Sequence, residues 1–139
     1  MPGRTLMIAL LAFTALFAAV LWYFQTYAFY AEMGAEKVMI AGQEYSVSNH
    51  RGIDAVTSPL KRRACFEMHG TIDAPVAENP TPLVAPSWFD CFDARAIGEA
   101  LEAGEAIAYV AEREEFDGVD RIVARFPDGR AFEWRQLSD

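Results

Sequence analysis

The residues of this chain best suited to chemistry are two cysteines, with a methionine and a histidine close to the first. Cys65, Met68 and His69 fall within the segment CFEMH, and Cys91 follows later. Thiolate, thioether and imidazole are soft ligands that suit copper or zinc. Structural zinc sites, however, use closely spaced ligand pairs such as C-x2-C, and no such pair occurs here. Metal binding by these four residues is therefore the weaker interpretation.

The same two cysteines are predicted to form a disulfide. Cys65 and Cys91 are the only cysteines, and an even pair in an oxidising compartment usually forms a bridge. This bridge would close the loop between them and stabilise the fold by roughly 3–4 kcal/mol. Thiol-redox catalysis needs a lowered thiol pKa, whereas Asp90 and Asp93 beside Cys91 would raise it. A periplasmic copper-binding or thiol-redox protein that uses both cysteines stays as the alternative hypothesis.

The sequence lacks the motifs of common catalytic sites. It contains neither the G-x-S-x-G motif of a nucleophilic serine nor a glycine-rich phosphate loop. Both histidines, His50 and His69, stand in turn-like surroundings and are expected in solvated loops. We therefore predict a protein that is not an enzyme, with no catalytic residues and no cofactor.

Two short segments are candidates for contact with a partner. Lys61-Arg62-Arg63 could contact anionic headgroups or an acidic partner, although such a run of charges is more often a solvated strand edge. Aromatic residues precede Cys91 and are expected to pack on the disulfide, but any exposed part of them would be the best contact patch. The acidic segment 112–120 lacks the order of a calcium loop and is predicted to be a solvated turn. The candidate contact residues are Arg62, Arg63, Trp88 and Phe89.

Near the N-terminus lies a segment suited to crossing a membrane. No charged residue occurs from Thr5 to Ala31, and Thr5–Phe24 is almost entirely apolar. A helix of this length spans about 30 Å, the thickness of the hydrocarbon core of a bilayer. These patterns predict a transmembrane helix over residues 5–27. Aromatic residues typical of the membrane–water interface lie at its end, namely Trp22, Tyr23, Tyr27 and Tyr30.

The charges that flank this segment predict its orientation. Arg4 precedes it, whereas Glu32 and Glu36 are the first charged residues behind it. The positive-inside rule then places the N-terminus in the cytoplasm and the rest of the chain in the periplasm. The predicted organisation in the inner (cytoplasmic) membrane is a cytoplasmic N-terminus over 1–4, a transmembrane helix over 5–27, a juxtamembrane linker over 28–36 and a periplasmic α+β domain over 37–139.

The membrane segment is interpreted as an uncleaved anchor. A cleaved signal peptide is the alternative, but the apolar stretch is longer than is usual for one, and small residues at a cleavage site are poorly supplied. Ala12, Ala15 and Ala19 follow one side of the helix, where small residues let a second helix approach closely. This stripe could dock on another membrane helix, but the plainer interpretation is that alanine is common in such helices.

The remaining sequence predicts a small α+β domain, an antiparallel sheet with one short helix. Asp93 can cap a helix over Ala94–Ala103, which Gly104 ends. Pro127-Asp128-Gly129 separates two alternating segments and predicts a β-hairpin. The proline-rich stretch Gly70–Pro86 predicts an ordered loop. Strands are expected over residues 37–47, 60–68, 106–110, 120–126 and 130–137.

Length and charge exclude several classes of protein. At 139 residues the chain is too short for a multidomain enzyme or a transporter. Its net charge of −8 disfavours binding to nucleic acid. The predicted partners are the lipid bilayer and another membrane or periplasmic protein. We therefore predict a non-enzymatic interaction module, an accessory or assembly subunit of an envelope or respiratory complex.

Six short motifs occur in order along the chain: GIDA at 52–55, SPL at 58–60, RACF at 63–66, WFDC at 88–91, DRIVA at 120–124 and FPDGR at 126–130. Together they resemble an uncharacterised family of small single-pass membrane proteins from alphaproteobacteria, classified as a domain of unknown function. The resemblance extends over essentially the whole chain. Members of this family sometimes carry the label histidine kinase. The sequence does not support that label, because it is too short for a dimerising phosphoacceptor helix and an ATP-binding domain.

Overall fold

The N-terminal part of the chain is one long apolar helix. A computed structural model describes residues 2–28 and 30–138 and separates two compact units, Met1–Tyr30 and Ala31–Asp139. Helix α1 covers Gly3–Tyr23 and continues as a π-helical turn over Phe24–Ala28. By length and composition, the 24 residues of Gly3–Thr26 could cross a membrane.

The predicted apolar helix is therefore confirmed. The residues of α1 are all exposed. Of the aromatic side chains predicted at the membrane interface, that of Tyr27 lies outside the described residues.

The second unit is an antiparallel sheet with one short helix, as predicted. Six strands form the main sheet in the order β1-β4-β5-β8-β7-β6, and β2 pairs with β3 in a separate hairpin. The elements are β1 (Ala31–Met33), β2 (Lys37–Ile40), β3 (Gln43–Ser46), β4 (Ser48–Asp54), β5 (Arg63–Glu67), α2 (Ala94–Glu102), β6 (Ile107–Phe116), β7 (Val119–Arg125) and β8 (Arg130–Leu137).

Local sequence signals account for two of these elements. The Asp93 carboxylate accepts a hydrogen bond of 3.1 Å from the amide of Ala96, which caps the start of α2. Gly129 has φ 99°, a conformation that favours glycine, and it closes the turn between β7 and β8. The predicted helix and hairpin are both confirmed.

The main sheet has two covered faces, because alternate residues of each strand point in opposite directions. On one face, Phe132 and Trp134 of β8 contact the ring of Phe92. We call this the loop face, since the segment between β5 and α2 covers it. On the opposite face, Ala131 belongs to an apolar cluster with Val38 of β2. We call this the hairpin face, since the β2–β3 hairpin covers it.

Three predictions about local structure are corrected. The linker predicted over residues 28–36 contains β1, in which Ala31 pairs with Asp54 of β4. His50 lies within β4 and not in a loop; Asn49, at φ 52°, marks a bulge in that strand. The predicted turn over 112–120 is mostly strand, because β6 extends to Phe116 and β7 begins at Val119.

Candidate interaction surface

The cysteines form the predicted disulfide, which fastens the loop between β5 and α2 to the sheet. Cys65 lies in β5 and is buried, and Cys91 lies just before α2 and is partly exposed. Their Cα atoms are 6.3 Å apart, within the range of ordinary disulfides. The bridge therefore closes the base of the proline-rich loop.

The structure does not bring the four predicted metal ligands together. Both sulfurs of Cys65 and Cys91 are used in the bridge. Met68 is buried in the apolar cluster of the hairpin face, whereas the disulfide lies on the loop face. The ring of His69 lies beside Gly129 instead. Among the described residues, no group of three or more histidine, cysteine, aspartate or glutamate side chains could hold a metal ion.

Arg63 is a buried clamp for the proline-rich loop. Its Nε donates a hydrogen bond of 3.0 Å to the carbonyl of Leu83, and a terminal nitrogen donates one of 3.2 Å to the carbonyl of Val84. Its other terminal nitrogen donates to the carbonyls of Leu60 and Arg62. Prolines have no backbone N–H and keep this segment from pairing as an inner strand of the sheet. The carbonyls of the segment therefore take hydrogen bonds from a side chain. The guanidinium group supplies them.

Gln136 clamps the loop at a second point. Its amide nitrogen donates to the carbonyl of Asn79 at 2.9 Å, and its amide oxygen accepts from the backbone of Thr81 at 2.7 Å. The same oxygen accepts from the indole nitrogen of the buried Trp134 at 2.8 Å. Every polar group of this buried amide is thus placed to hold the loop against β8.

The predicted contact residues occupy different environments. Phe89 is only 1% exposed, as expected for an aromatic residue that packs in the core, and Arg63 is also buried. Trp88 is half-buried, and its ring meets that of Phe89 edge to face. Arg62 is half-buried and binds carboxylates of its own chain. Of the four predicted residues, Trp88 keeps the most suitable place for contact with a partner.

The loop also exposes an apolar side chain that the sequence analysis did not select. Val84 is 83% exposed, although its carbonyl is held by Arg63. Beside it, an open groove of about 430 Å³ separates the loop from the start of α2, with Pro86, Phe89 and Phe92 among its lining residues. A fixed loop with an exposed apolar side chain and an adjoining groove can bind a partner with little loss of conformational entropy.

A buried cluster of ion pairs lies on the hairpin face, away from this loop. Its centre is Glu133, which is 0% exposed. One carboxylate oxygen accepts from Arg62 Nε at 2.6 Å, and the other accepts from Arg121 at 3.1 Å. Register places Val123 and Ala64 opposite Glu133 on the neighbouring strands, so the carboxylate is surrounded by the sheet. We call this set, with Asp54, Glu115 and Arg135, the ion-pair cluster.

The rest of the cluster compensates its charges in pairs. Glu115 accepts from Arg121 at 2.7 Å and lies 3.3 Å from Arg135. Burial alone would raise the pKa of Glu115, but the bonds and charges of Arg135 and Arg121 outweigh burial and lower it. Burial likewise opposes the charge of Arg62, yet Glu133 raises the pKa of its guanidinium group. The cluster is thus charged, paired and structural.

His50 lies near this cluster, where its ring stacks on Phe66 with 5.6 Å between the centroids. Burial lowers the pKa of this histidine, Glu133 acts to raise it, and Arg62 acts to lower it. Its Nδ1 atom is buried and makes no hydrogen bond among the described residues. The neutral imidazole therefore serves as a packing group in β4.

The predicted helix-docking residues keep their helical spacing. Ala12, Ala15 and Ala19 all lie in α1 and are exposed on it. Spacings of three and four residues place them on one side of the helix. That side remains accessible to a second membrane helix.

Sequence reasoning missed the residues that organise this domain. Glu133 and Arg135 alternate with the apolar residues of β8, which gave the pattern of an ordinary half-solvated strand. The local sequence held no signal for this, because the central place of β8 in the sheet depends on its pairing with β5 and β7. Charged residues placed there must find partners across the sheet.

Comparison with known proteins identifies the family. A sequence model described as "Family of unknown function (DUF6446)" matches residues 35–139, more than half of the chain. The chain belongs to this family. No curated protein and no solved structure shows a match to it.

Proposed function

We propose that this member of the family is a membrane-anchored accessory protein whose domain lies in the periplasm and binds another membrane or periplasmic protein. In this role it carries out no reaction of its own. It contributes instead to the assembly or stability of an envelope or respiratory complex in the inner membrane.

The helix and the disulfide together support the proposed location. A helix of 24 residues is about 36 Å long at 1.5 Å per residue, which is sufficient to cross the hydrocarbon core. The Cys65–Cys91 bridge is a bond that persists in oxidising compartments. Arg4 before the helix and two glutamates behind it favour a cytoplasmic N-terminus.

The observation that carries the proposed binding role is the clamped loop. Arg63, Gln136 and the disulfide fix the backbone of a loop that has no regular secondary structure from residue 79 to 86. Residues 79–86 of this loop have no fully buried side chain, so the restraints fix a surface segment and not a part of the core. A fixed loop that presents Val84 and Trp88 to a partner loses little conformational entropy on binding, which is a reason for these restraints.

The bridged cysteines favour this role over copper binding. A sulfur in a disulfide is not a thiolate ligand, so copper binding through both cysteines would require reduction first. Counting free thiols in protein taken directly from the periplasm separates the two functions. We expect none, and two free thiols would favour the copper or thiol-redox alternative.

Gentle detergent extraction of the tagged full-length protein tests the binding role. We expect one partner protein to co-purify in stoichiometric amount, identified by mass spectrometry. Val84→Arg should abolish its recovery, because a charge replaces the exposed apolar group of the loop. Ile107→Arg is the matched control, since Ile107 is also exposed but lies at the start of β6. Recovery of the wild-type protein alone, or equal recovery with both variants, would contradict the proposal.

A second pair of variants tests the helix stripe. Ala15→Leu should weaken recovery of a partner that docks on α1, because the larger side chain keeps the two helices apart. Thr14→Leu also enlarges a side chain of α1, but Thr14 lies about 100° around the helix from Ala15 and away from the stripe, so this control should have no effect. If Ala15→Leu leaves the complex intact, binding depends on the periplasmic domain alone.

A further inference from the structure

One end of the main sheet carries exposed apolar side chains at the ends of three of its strands. Val56 follows β4 and is 102% exposed, Leu137 ends β8 and is 66% exposed, and Phe116 ends β6 and is 47% exposed. We call these three residues the terminal patch. Large apolar groups gathered at one end of a domain are a common sign of a contact surface.

The strand register places all three residues at the same end. Phe116 of β6 pairs with Val119 of β7, which pairs with Leu137 of β8. On the other side of β8, Trp134 pairs with Arg63, the first residue of β5. Arg63 in turn pairs with Ile53 near the end of β4, and Val56 follows that strand. With strands about 4.8 Å apart, β4 and β6 are separated by roughly 19 Å, so the patch extends across most of the sheet.

The chain enters the domain at this same end. Ala31, the first residue of β1, pairs with Asp54, the last residue of β4. Only residues 29 and 30 lie between Ala31 and Ala28, the last residue of the helical segment. Three virtual bonds of 3.8 Å allow at most about 11 Å between these two Cα atoms. A sheet end tethered so closely to a membrane-spanning segment cannot leave the vicinity of the bilayer surface.

We propose that the terminal patch rests in the interfacial layer of the lipid bilayer. This inference relies on the anchoring helix of the proposed function and adds a second membrane contact made by the folded domain. Apolar side chains gain free energy when they enter the boundary between headgroups and acyl chains. The covalent tether to the helix keeps the domain at a high effective concentration near the membrane, so three apolar side chains are sufficient for the contact.

The charges near the patch predict the type of lipid surface. At this end Asp54 and Glu115 are paired with arginines of the ion-pair cluster, and Asp117 offsets Lys61, so the patch has no excess of positive charge; the net charge of the chain is −8. Attraction to anionic headgroups is therefore not the source of binding. The contact is apolar and occurs on zwitterionic phosphatidylcholine as well as on anionic lipid.

Tryptophan quenching by brominated lipid tests this contact in the full-length protein. A tryptophan is introduced as Val56→Trp in a Trp22→Phe background, and the protein is reconstituted into phosphatidylcholine vesicles with or without bromine on the upper acyl chain. Ile107→Trp in the same background is the matched control, because Ile107 is exposed at the opposite end of the sheet, where it pairs with Arg125. Val56 is fully exposed, so the substitution leaves the core unchanged.

If the patch contacts the bilayer, brominated lipid should quench most of the tryptophan fluorescence that Val56→Trp adds. It should quench none of the fluorescence that Ile107→Trp adds. Leu137→Trp, in the middle of the patch at the end of β8, should be quenched like Val56→Trp. Equal quenching at Val56 and Ile107, or quenching at neither, overturns the inference. The native Trp22 of the wild-type protein reports separately on the anchor: quenching there without quenching at Val56 refutes the patch but not the anchor, and no quenching at either site refutes both.

Discussion

Removing the central carboxylate of the ion-pair cluster should strongly destabilise the domain. Glu133→Gln keeps the shape of the side chain but removes the charge that two guanidinium groups share, Arg62 at 2.6 Å and Arg121 at 3.1 Å. Breaking a buried ion pair from one side costs about 3–5 kcal/mol. The lower value applies here, because Arg62 and Arg121 keep Asp54 and Glu115 as partners. For a domain of this size, 3 kcal/mol corresponds to a fall in Tm of about 12 °C or more.

Denaturant unfolding of the full-length protein in detergent measures this cost. The near-ultraviolet circular dichroism of the buried Trp134 reports unfolding of the sheet. Glu44→Gln is the matched control, because Glu44 makes a 3.6 Å ion pair with Lys37 in which both side chains are mostly exposed. Exposed pairs of this kind contribute about 0–1 kcal/mol.

Two results would refute this reasoning. The first is a loss of less than about 1 kcal/mol for Glu133→Gln, which would place the cluster among ordinary surface pairs. The second is strict additivity of Glu133→Gln with Arg62→Met. We expect the double variant to lose less than the sum of the single losses, because both substitutions remove the same Arg62–Glu133 ion pair.

Three further predictions follow from the loop and the cluster. Replacing both Cys65 and Cys91 by serine should lower the free energy of unfolding by roughly 3–4 kcal/mol in the same denaturant assay, because the open chain gains entropy; an unchanged midpoint would contradict this. Gln136→Ala should open the proline-rich loop to limited proteolysis, since it leaves buried groups without hydrogen bonds at about 1–3 kcal/mol each; cleavage no faster than in the Gln43→Ala control would argue against the clamp. The folded-state pKa of Glu115 is lowered from 4.5, so its stabilisation is complete above pH 4.5 and is lost as the pH falls below that value toward the folded-state pKa. Glu115→Gln should therefore flatten the loss of stability in that acidic range, and an unchanged slope would show that Glu115 does not contribute to it.

The parts of the fold that local sequence determines were predicted well. The cap at Asp93 and the Pro127-Asp128-Gly129 turn act within a few residues, so their signals are present in the sequence itself. The disulfide was predictable because Cys65 had one possible partner within the chain. The long apolar helix followed from length and composition alone.

The remaining features depend on contacts between distant parts of the chain. Strand β1 has three residues and exists through its pairing with β4, so no local pattern marks it. The run Lys61-Arg62-Arg63 has the appearance of a solvated edge, yet Arg62 meets Glu133 and Arg63 meets the carbonyl of Val84. His50 follows an asparagine that suits a turn, but that asparagine forms a bulge inside β4. In each case a tertiary contact overrides the local preference.

Protease treatment of intact spheroplasts tests the central claim, an uncleaved anchor with a folded domain outside the cytoplasm. The full-length protein carries an N-terminal tag and is followed by immunoblot in the membrane fraction. The account predicts that added protease removes the domain beyond Ala31 and leaves a small tagged fragment in the membrane, while a cytoplasmic control protein stays intact. Full protection of the protein, or release of the domain into the soluble periplasmic fraction without its N-terminal helix, would contradict the account.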